Sequence, residues 1–518
     1  MGTRYKTYEI DCSRGGLNGN PNVDALPPHA MIPPTRNLNL HLGTRQIRGG
    51  TSYVDGAAMT GTPGLLGGCD FTLRAGTQFI IRAASDGKLY KDKTTSIKTG
   101  LSASAFPCFV TADNTLFLCN GVDIVQTWDG AGAATADITE PAADWATVTQ
   151  PHQMLIHGRG ASLRAWAINP TTLYASKNFA AAGDFKYFVT GAESIYIDTN
   201  DGFGLQGMVE KSKELFLFGK TQTYRIDDSN ATSTNWGYEL APWYGGVANW
   251  RLLVKTPNDV VAMMEDGEIY SVSAVQEYGD YQAASLTRPA FMHKWIQEYI
   301  NLAQISKFHA IYDPTIRAVI FFMVKAGYTN VNIALLFFID RPPAEAWMVQ
   351  DNDSYASGYN AASSFLVRKS VGSMKVYTGN YGGILWELQT ANKNDNSNAF
   401  YAGFKSPPMH FDNPRMTKDF NNLRVVTQPA GAYNLSIKYA CDGVAEGSGT
   451  VSMAGTGGVL DSFTLDTDSL QGNDFIDSPI DLGIIGKRLQ FEAYMSTVNY
   501  DFIISKVLID AKELGGRP

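Results

Sequence analysis

The run Val260-Val261-Ala262-Met263-Met264-Glu265-Asp266-Gly267-Glu268-Ile269-Tyr270-Ser271-Val272 limits what this chain can fold into more than any other stretch. An apolar segment meets an acidic-glycine turn, and a second segment follows that opens on an aliphatic and then an aromatic residue. Asp-Gly between two such segments marks a β-hairpin, because glycine accepts the positive φ that a twist-matched tight turn requires. The phrase recurs. Phe79-Ile80-Ile81 leads through Ser85-Asp86-Gly87 to Leu89-Tyr90, and Val376-Tyr377 leads through Asn380-Tyr381-Gly382-Gly383 to Leu385-Trp386.

Four further pairs follow the same plan without the full phrase. Residues 116–118 precede Asn120-Gly121 and 124–128, and residues 154–156 precede Gly158 with Leu173-Tyr174 further on. Residues 215–218 precede Gly219 and Tyr224-Arg225-Ile226, and residues 319–324 turn through Lys325-Ala326-Gly327 into 333–339. Hairpins recurring at intervals of about 40 to 60 residues suit propeller blades with insertions. The expectation is an all-β chain whose residues 61–404 form a β-propeller of about six to eight blades. One or two β-sandwiches are the rival; the repeated turn-then-aromatic phrase favours the propeller, since propellers carry per-blade glycine and aromatic signatures. The best-known signatures are absent: Trp128-Asp129 is a lone dipeptide, and Ser85-Asp86-Gly87 lacks the spacing of a sialidase Asp-box.

Residues 1–60 read as an extended N-terminal arm, because Ser13 to Asn22 and the Pro27-Pro28 and Pro33-Pro34 pairs place glycine, proline and asparagine too densely for a regular element. Within it, residues 37–42 alternate polar and apolar as a half-buried strand does. The polar run Asn392-Lys393-Asn394-Asp395-Asn396-Ser397-Asn398 and then Pro407-Pro408 mark a boundary. Beyond it, Tyr433, Leu435, Ile437 and Tyr439 share one strand face, and Leu489, Phe491, Ala493 and Met495 another. Residues 405–518 are therefore expected as a separate antiparallel β-sandwich domain. One helix is predicted over 289–300, with Phe291, Trp295 and Tyr299 in one stripe.

With 518 residues the chain exceeds the size at which one core stops growing. Fifty glycines and 18% charged residues lean away from helix. A net charge of −8 argues against gripping nucleic acid by neutralising phosphates, yet suits a conduit wall along which DNA slides. Five scattered cysteines, Cys12, Cys69, Cys108, Cys119 and Cys441, read as buried apolar residues of a protein made in a reducing compartment. No apolar run approaches the roughly 20 residues that span a bilayer, so no stable membrane insertion is expected.

Candidate chemistry is sparse. The seven histidines, His29, His41, His152, His157, His293, His309 and His410, are dispersed. Asp198-Thr199-Asn200-Asp201-Gly202 begins like a calcium loop but places Phe203 and Val209 where glycine and glutamate are needed. Gly130-Ala131-Gly132-Ala133-Ala134-Thr135 lacks the last glycine and the βαβ setting of a dinucleotide loop. No catalytic, cofactor-binding or metal-binding residue is assigned, and the chain is read as no enzyme.

The order of features resembles one family, the tail nozzle proteins of short-tailed bacteriophages (podovirus type), also called tail tubular protein B or stabilisation proteins. The residues that carry the resemblance are Gly15-Gly16-Leu17-Asn18, Asn37 with Arg48-Gly49-Gly50-Thr51, Leu116 to Asp123, Glu214 to Ile226, Asp266 to Tyr270, Ile339-Asp340 with Trp347, and Arg488-Leu489-Gln490-Phe491 to Ile509. The resemblance implies a structural virion subunit of a hexameric ring at the distal tail, assembled in the host cytoplasm. It also implies contacts with a tail adaptor and with fibres or a spike, and transient passage of double-stranded DNA without sequence-specific binding. Trp236, Trp243 and Trp250 are candidate interface anchors. The alternative function is a carbohydrate-binding or carbohydrate-active propeller that reads a host receptor, with aromatic platforms and acids converging on one mouth.

Overall fold

The computed structural model describes residues 4–514 except 139–144, 146–148, 160–161, 181–183, 189–192, 231–234, 276–279, 353–356 and 455–475. Seven of its sheets have four antiparallel strands each, and two larger sheets gather the C-terminal strands.

Six of the seven hairpins read from the sequence supply the second and third strands of a sheet, whereas residues 154–156 and Leu173-Tyr174 fall on the first and third strands of the third sheet, with Arg164–Ile168 between them. In the first sheet Gln78–Ala84 turns into Lys88–Tyr90. In the fifth Val260–Met263 turns into Ile269–Val275, and in the seventh Ser373–Asn380 turns into Leu385–Thr390. The turns are built as expected: Gly87, Gly267 and Gly383 have φ of 73°, 88° and 73°. The Asp266 carboxylate accepts a hydrogen bond from Glu268 N at 3.0 Å, and the Asn380 side chain accepts from Gly382 N at 2.9 Å. The aliphatic-aromatic pair after each turn, Leu89-Tyr90, Ile269-Tyr270 and Leu385-Trp386, is buried in all three. Neighbouring side chains of a strand point to opposite faces, so these strands are covered on both sides.

Leu65–Thr72 and Ser96–Lys98 complete the first sheet. The second sheet runs Cys108–Ala112, Thr115–Cys119, Gln126–Trp128 and Ala136–Asp137. The third runs Gln153–His157, Arg164–Ile168, Thr172–Ala175 and Ser194–Tyr196. The fourth runs Gly207–Lys211, Glu214–Phe218, Thr223–Asp227 and Gly237–Leu240. Leu253–Lys255 opens the fifth and Asp280–Ser285 closes it. The sixth, His309–Asp313, Ala318–Met323, Ile333–Phe338 and Trp347–Gln350, has its two central strands buried at every position.

The seventh sheet opens with Ala361–Ser370 and takes its fourth strand, Gly50–Tyr53, from the start of the chain. The first strands of consecutive sheets lie against one another, and Ala361–Ser370 lies against Leu65–Thr72 of the first sheet. Ser363 Oγ donates to Leu65 O at 2.8 Å, and Arg368 N donates to the Asp70 carboxylate at 2.8 Å.

The segment expected as an extended arm supplies strands to three sheets. Lys6–Asp11 and Arg45–Ile47 both pair with Ile503–Glu513, and Leu38–Asn39 pairs with Arg45–Ile47. That sheet continues through Lys418–Thr427 to Ile476–Gly486. In the second large sheet Ile32–Arg36 is an edge strand beside Ala402–Lys405, followed by Leu489–Met495, Asn434–Cys441 and Val444–Ser452. Prolines are tolerated on such an edge, which is why a Pro-Pro pair sits inside a strand there. The C-terminal strands therefore do not stand apart from the first fifty residues.

The polar run expected to mark a boundary is enclosed. Asp395 is fully buried and forks onto the buried Arg48 guanidinium at 2.7 and 3.0 Å. It also accepts from Thr51 Oγ1 and Asn352 Nδ2, while Arg48 stacks 3.7 Å over the Phe400 ring. A Cβ on Gly50 would lie 1.8 Å from Asn394 O, so only glycine lets the two backbones meet.

The helix α1 spans Met292–Tyr299. Its buried stripe is Met292, Trp295 and Ile296, whereas Phe291 caps it at φ 54° and Tyr299 is exposed. Ile296 rests on the hairpin turn of the fifth sheet, where a Cβ on Gly267 would come within 2.7 Å of it. Four of the five cysteines are buried and all five are free thiols. Among the described residues no helix is long and apolar enough to cross a membrane.

Candidate functional site

The third and fourth sheets present the surface that most invites a partner. Their outer strands, Ser194–Tyr196 and Gly237–Leu240, are edges whose far side has no strand partner among the described residues. Tyr196 is 66% exposed, Tyr238 43% and Leu240 57%, with Tyr244 beyond the strand more open still. Large apolar side chains on free edges are a surface that pairs or packs with something else.

Beside this edge the two sheets enclose a cleft of about 820 Å³. The third sheet enters it through the turn after His157. Gly158 is at φ 107° and a Cβ there would lie 2.1 Å from Ser162 O, so the turn depends on glycine. His157 Nε2 is 3.3 Å from the Asp228 carboxylate. Arg225, on the third strand of the fourth sheet, reaches Glu214 at 2.8 Å and Glu239 at 3.2 Å on the strands either side. Hydrogen bonds from Ser229 hold Asp227 below the ordinary carboxylate range. A general acid for glycoside cleavage needs the opposite shift. Asp313, which burial pushes up, sits in the sixth sheet and outside this cleft. The cleft is therefore suited to holding a polar ligand between paired charges and an aromatic rim.

The three candidate tryptophan anchors lie elsewhere. Trp236 is half-buried, 5.0 Å from the Trp166 ring with Arg164 above it. Trp243 packs against the core near Phe216, and Trp250 borders a cavity among the first strands. The exposed apolar side chains of the outer strands are tyrosines and a leucine, Tyr196, Tyr238 and Leu240. Their signal in the sequence is faint, because Gly237-Tyr238-Glu239-Leu240 has the ordinary alternation of an edge strand.

The histidines are not brought together, and among the described residues no group of three or more His, Cys, Asp or Glu is placed to hold a metal ion. The calcium-like run is a turn: Asp198 accepts from Asn200 N and Asp201 from Phe203 N. The glycine-rich run 130–135 is a loop closed by Asp129, which accepts from Ala131 N and Gly132 N.

No known protein family matches the chain, and no curated protein matches it. Among solved structures it is similar to BBS1N in complex with ARL6DN, at 10% identity and a TM-score of 0.40, covering 67% of this chain and 97% of that one. YCF48 bound to D1 peptide is similar at 11% identity and a TM-score of 0.39, covering 64% of this chain and 94% of the other. Sqt1 of Saccharomyces cerevisiae gives 10% identity and a TM-score of 0.38 over 64% of this chain and 97% of that one. Likenesses this distant say nothing of activity.

Proposed function

We propose that the chain is a structural subunit of a phage tail nozzle ring, which extends and gates the DNA-ejection channel at the distal tail. In this reading the seven sheets are the blades of a β-propeller, closed by the N-terminal strand Gly50–Tyr53, and the two large sheets pack as a β-sandwich. The succession of first strands around one cavity supports the propeller. The observation that carries the ring is the apolar outer edge of the third and fourth sheets, Tyr196, Tyr238 and Leu240. A ring subunit needs such a surface for a heterologous contact with its neighbour. The order of sequence features shared with nozzle proteins supplies the identity of the ring. DNA would pass along a net-negative wall without sequence-specific binding, and a tail adaptor and fibres or a spike would be the other partners.

Sedimentation velocity and negative-stain imaging of the purified chain, alone and with a tail adaptor, test this. A six-fold ring with an axial hole is expected, and Tyr238→Lys with Leu240→Lys is expected to disperse it while the thermal midpoint stays unchanged. A chain that stays monomeric with the adaptor present would end the proposal.

A second reading, a carbohydrate-binding propeller that reads a host receptor, is favoured by the cleft, where Tyr238 adjoins Glu214, Asp227 and Glu239. Retention of the monomer on host surface polysaccharide, lost in Tyr238→Ala, would select it.

A further inference from the structure

The first strands of the sheets enclose a cavity of about 420 Å³. Its wall is apolar at Phe109, Leu253 and Phe365 and carries two basic residues, Arg251 and His309, with Gln153 and Trp250 beside them. Arg251 belongs to the 3-10 turn Trp250–Leu252, which leads into the fifth sheet, so the backbone itself delivers it there. Asn249 fixes that turn: its side chain accepts from Arg251 N at 2.9 Å and donates to Ile305 O at 2.9 Å.

The partners of Arg251 are all neutral. Its guanidinium donates to Ala362 O at 3.3 Å and to Ser306 O at 3.0 Å, and stacks 3.5 Å from the centre of the Phe106 ring. Two acids lie near and are otherwise engaged. Glu265, in the adjoining cleft, is 2.6 Å from Lys220. Asp70 lines the cavity but spends its oxygens on Thr72, Gln78 and Arg368 N in solvent-exposed hydrogen bonds. His309 is buried against the Phe322 ring, and its Nε2 has no hydrogen-bond partner. Arg251 is partly buried, and a cation only partly reached by water and met by carbonyl oxygens and a ring carries a desolvation cost. Burial accordingly pushes the Arg251 pKa down to about 9.

We propose that this cavity is a binding site for a small organic monocarboxylate, with its carboxylate on Arg251 and its body against Phe109, Leu253 and Phe365. A guanidinium can fork onto a carboxylate through two parallel N–H donors. The apolar wall selects an organic body over a free inorganic anion, and the volume lies within the usual span of small-molecule sites, about 300 to 1,000 Å³. The proposal is independent of any role in a tail.

Benzoate serves as the probe with the full chain, followed by tryptophan fluorescence and equilibrium dialysis, with inorganic phosphate as the second arm. Saturable binding of one benzoate per chain is expected, weakened about tenfold or more in Arg251→Gln. Undiminished binding in that variant, absence of saturable binding, or equal affinity for phosphate would each overturn the proposal. If Arg251→Gln does not fold, a benzoate-soaked crystal of the unaltered chain decides, because benzoate located away from Arg251 overturns the proposal as well.

Discussion

Arg48 and Asp395 are both fully enclosed, and each is the other's ionic partner. Burial lowers the Arg48 pKa, but the Asp395 carboxylate together with Tyr359 and Asp351 outweighs it and the guanidinium is held above its ordinary value. Removing one member leaves the other buried without compensation, at a cost of about 3–5 kcal/mol. Arg48→Met is therefore expected to lose that much in urea unfolding, and Arg48→Lys to recover little, because an ammonium cannot fork onto the carboxylate while stacking on Phe400. If Arg48→Met unfolds at the same midpoint as the unaltered chain, the pair has no such weight. The phrase Arg48-Gly49-Gly50-Thr51 was visible in the sequence, but its partner lies 347 residues away in a run of asparagines that reads as a polar, loop-like boundary. A second set of buried groups governs the acid side. Burial lowers His152 from 6.5 to about 4 and holds His309 well below its ordinary value. Since both folded values lie below the unfolded one, the unfolded chain takes up these protons first. Their contribution is whole above pH 6.5 and is lost progressively as pH falls toward 4. Melting temperatures measured between about pH 7 and pH 4.5 are expected to fall, and His309→Phe to flatten the fall; an equal slope in the variant would remove His309 from the account.

At the scale of elements, the second-third hairpins were legible because both of their signals are local, a glycine at positive φ and apolar strands covered on both faces. The fourth strands were not: Ala136–Asp137 is only two residues long and exposed. The predicted helix was found, but with its buried stripe shifted. Phe291 occupies the cap, so the eight residues of α1 offer one short face, and Ile296 takes the place expected of Tyr299. That face explains why the turn of the fifth sheet is sensitive. A side chain at Gly267 meets both an unfavourable φ and the Ile296 methyl, whereas at Gly76, at φ 91°, nothing lies within 4 Å of the added Cβ. Gly76→Ala is expected to cost about 1 kcal/mol from backbone strain alone, and Gly267→Ala about 2–3 kcal/mol because α1 must also shift. Equal losses in the two variants would show that the contact with α1 adds nothing.

Over the whole molecule, the strands that residues 1–60 supply are barely legible in the sequence, because they are short and their partners lie hundreds of residues away, so little periodicity or turn chemistry marks them. Lys6–Asp11 runs beside Ile503–Glu513, Ile32–Arg36 beside Ala402–Lys405, and Gly50–Tyr53 beside Leu385–Thr390. The start of the chain thus ties the last four-stranded sheet to both large sheets. Between Tyr53 and Leu65 it crosses a stretch anchored at its middle by the buried Met59, on either side of which Gly56 and Gly61 have positive φ and open space around them. A protease nick between Gly56 and Gly61 is therefore expected to leave both fragments associated, since loop tips are where cleavage is tolerated and three sheets still hold the short piece. The nicked protein should elute as one species and unfold in one transition near that of the intact chain, separating into fragments only in denaturant. Loss of the short fragment under native conditions would mean that these strands decorate sheets which stand without them. Retention would make the first fifty residues the clasp through which the four-stranded sheets and the C-terminal sheets fold as one unit.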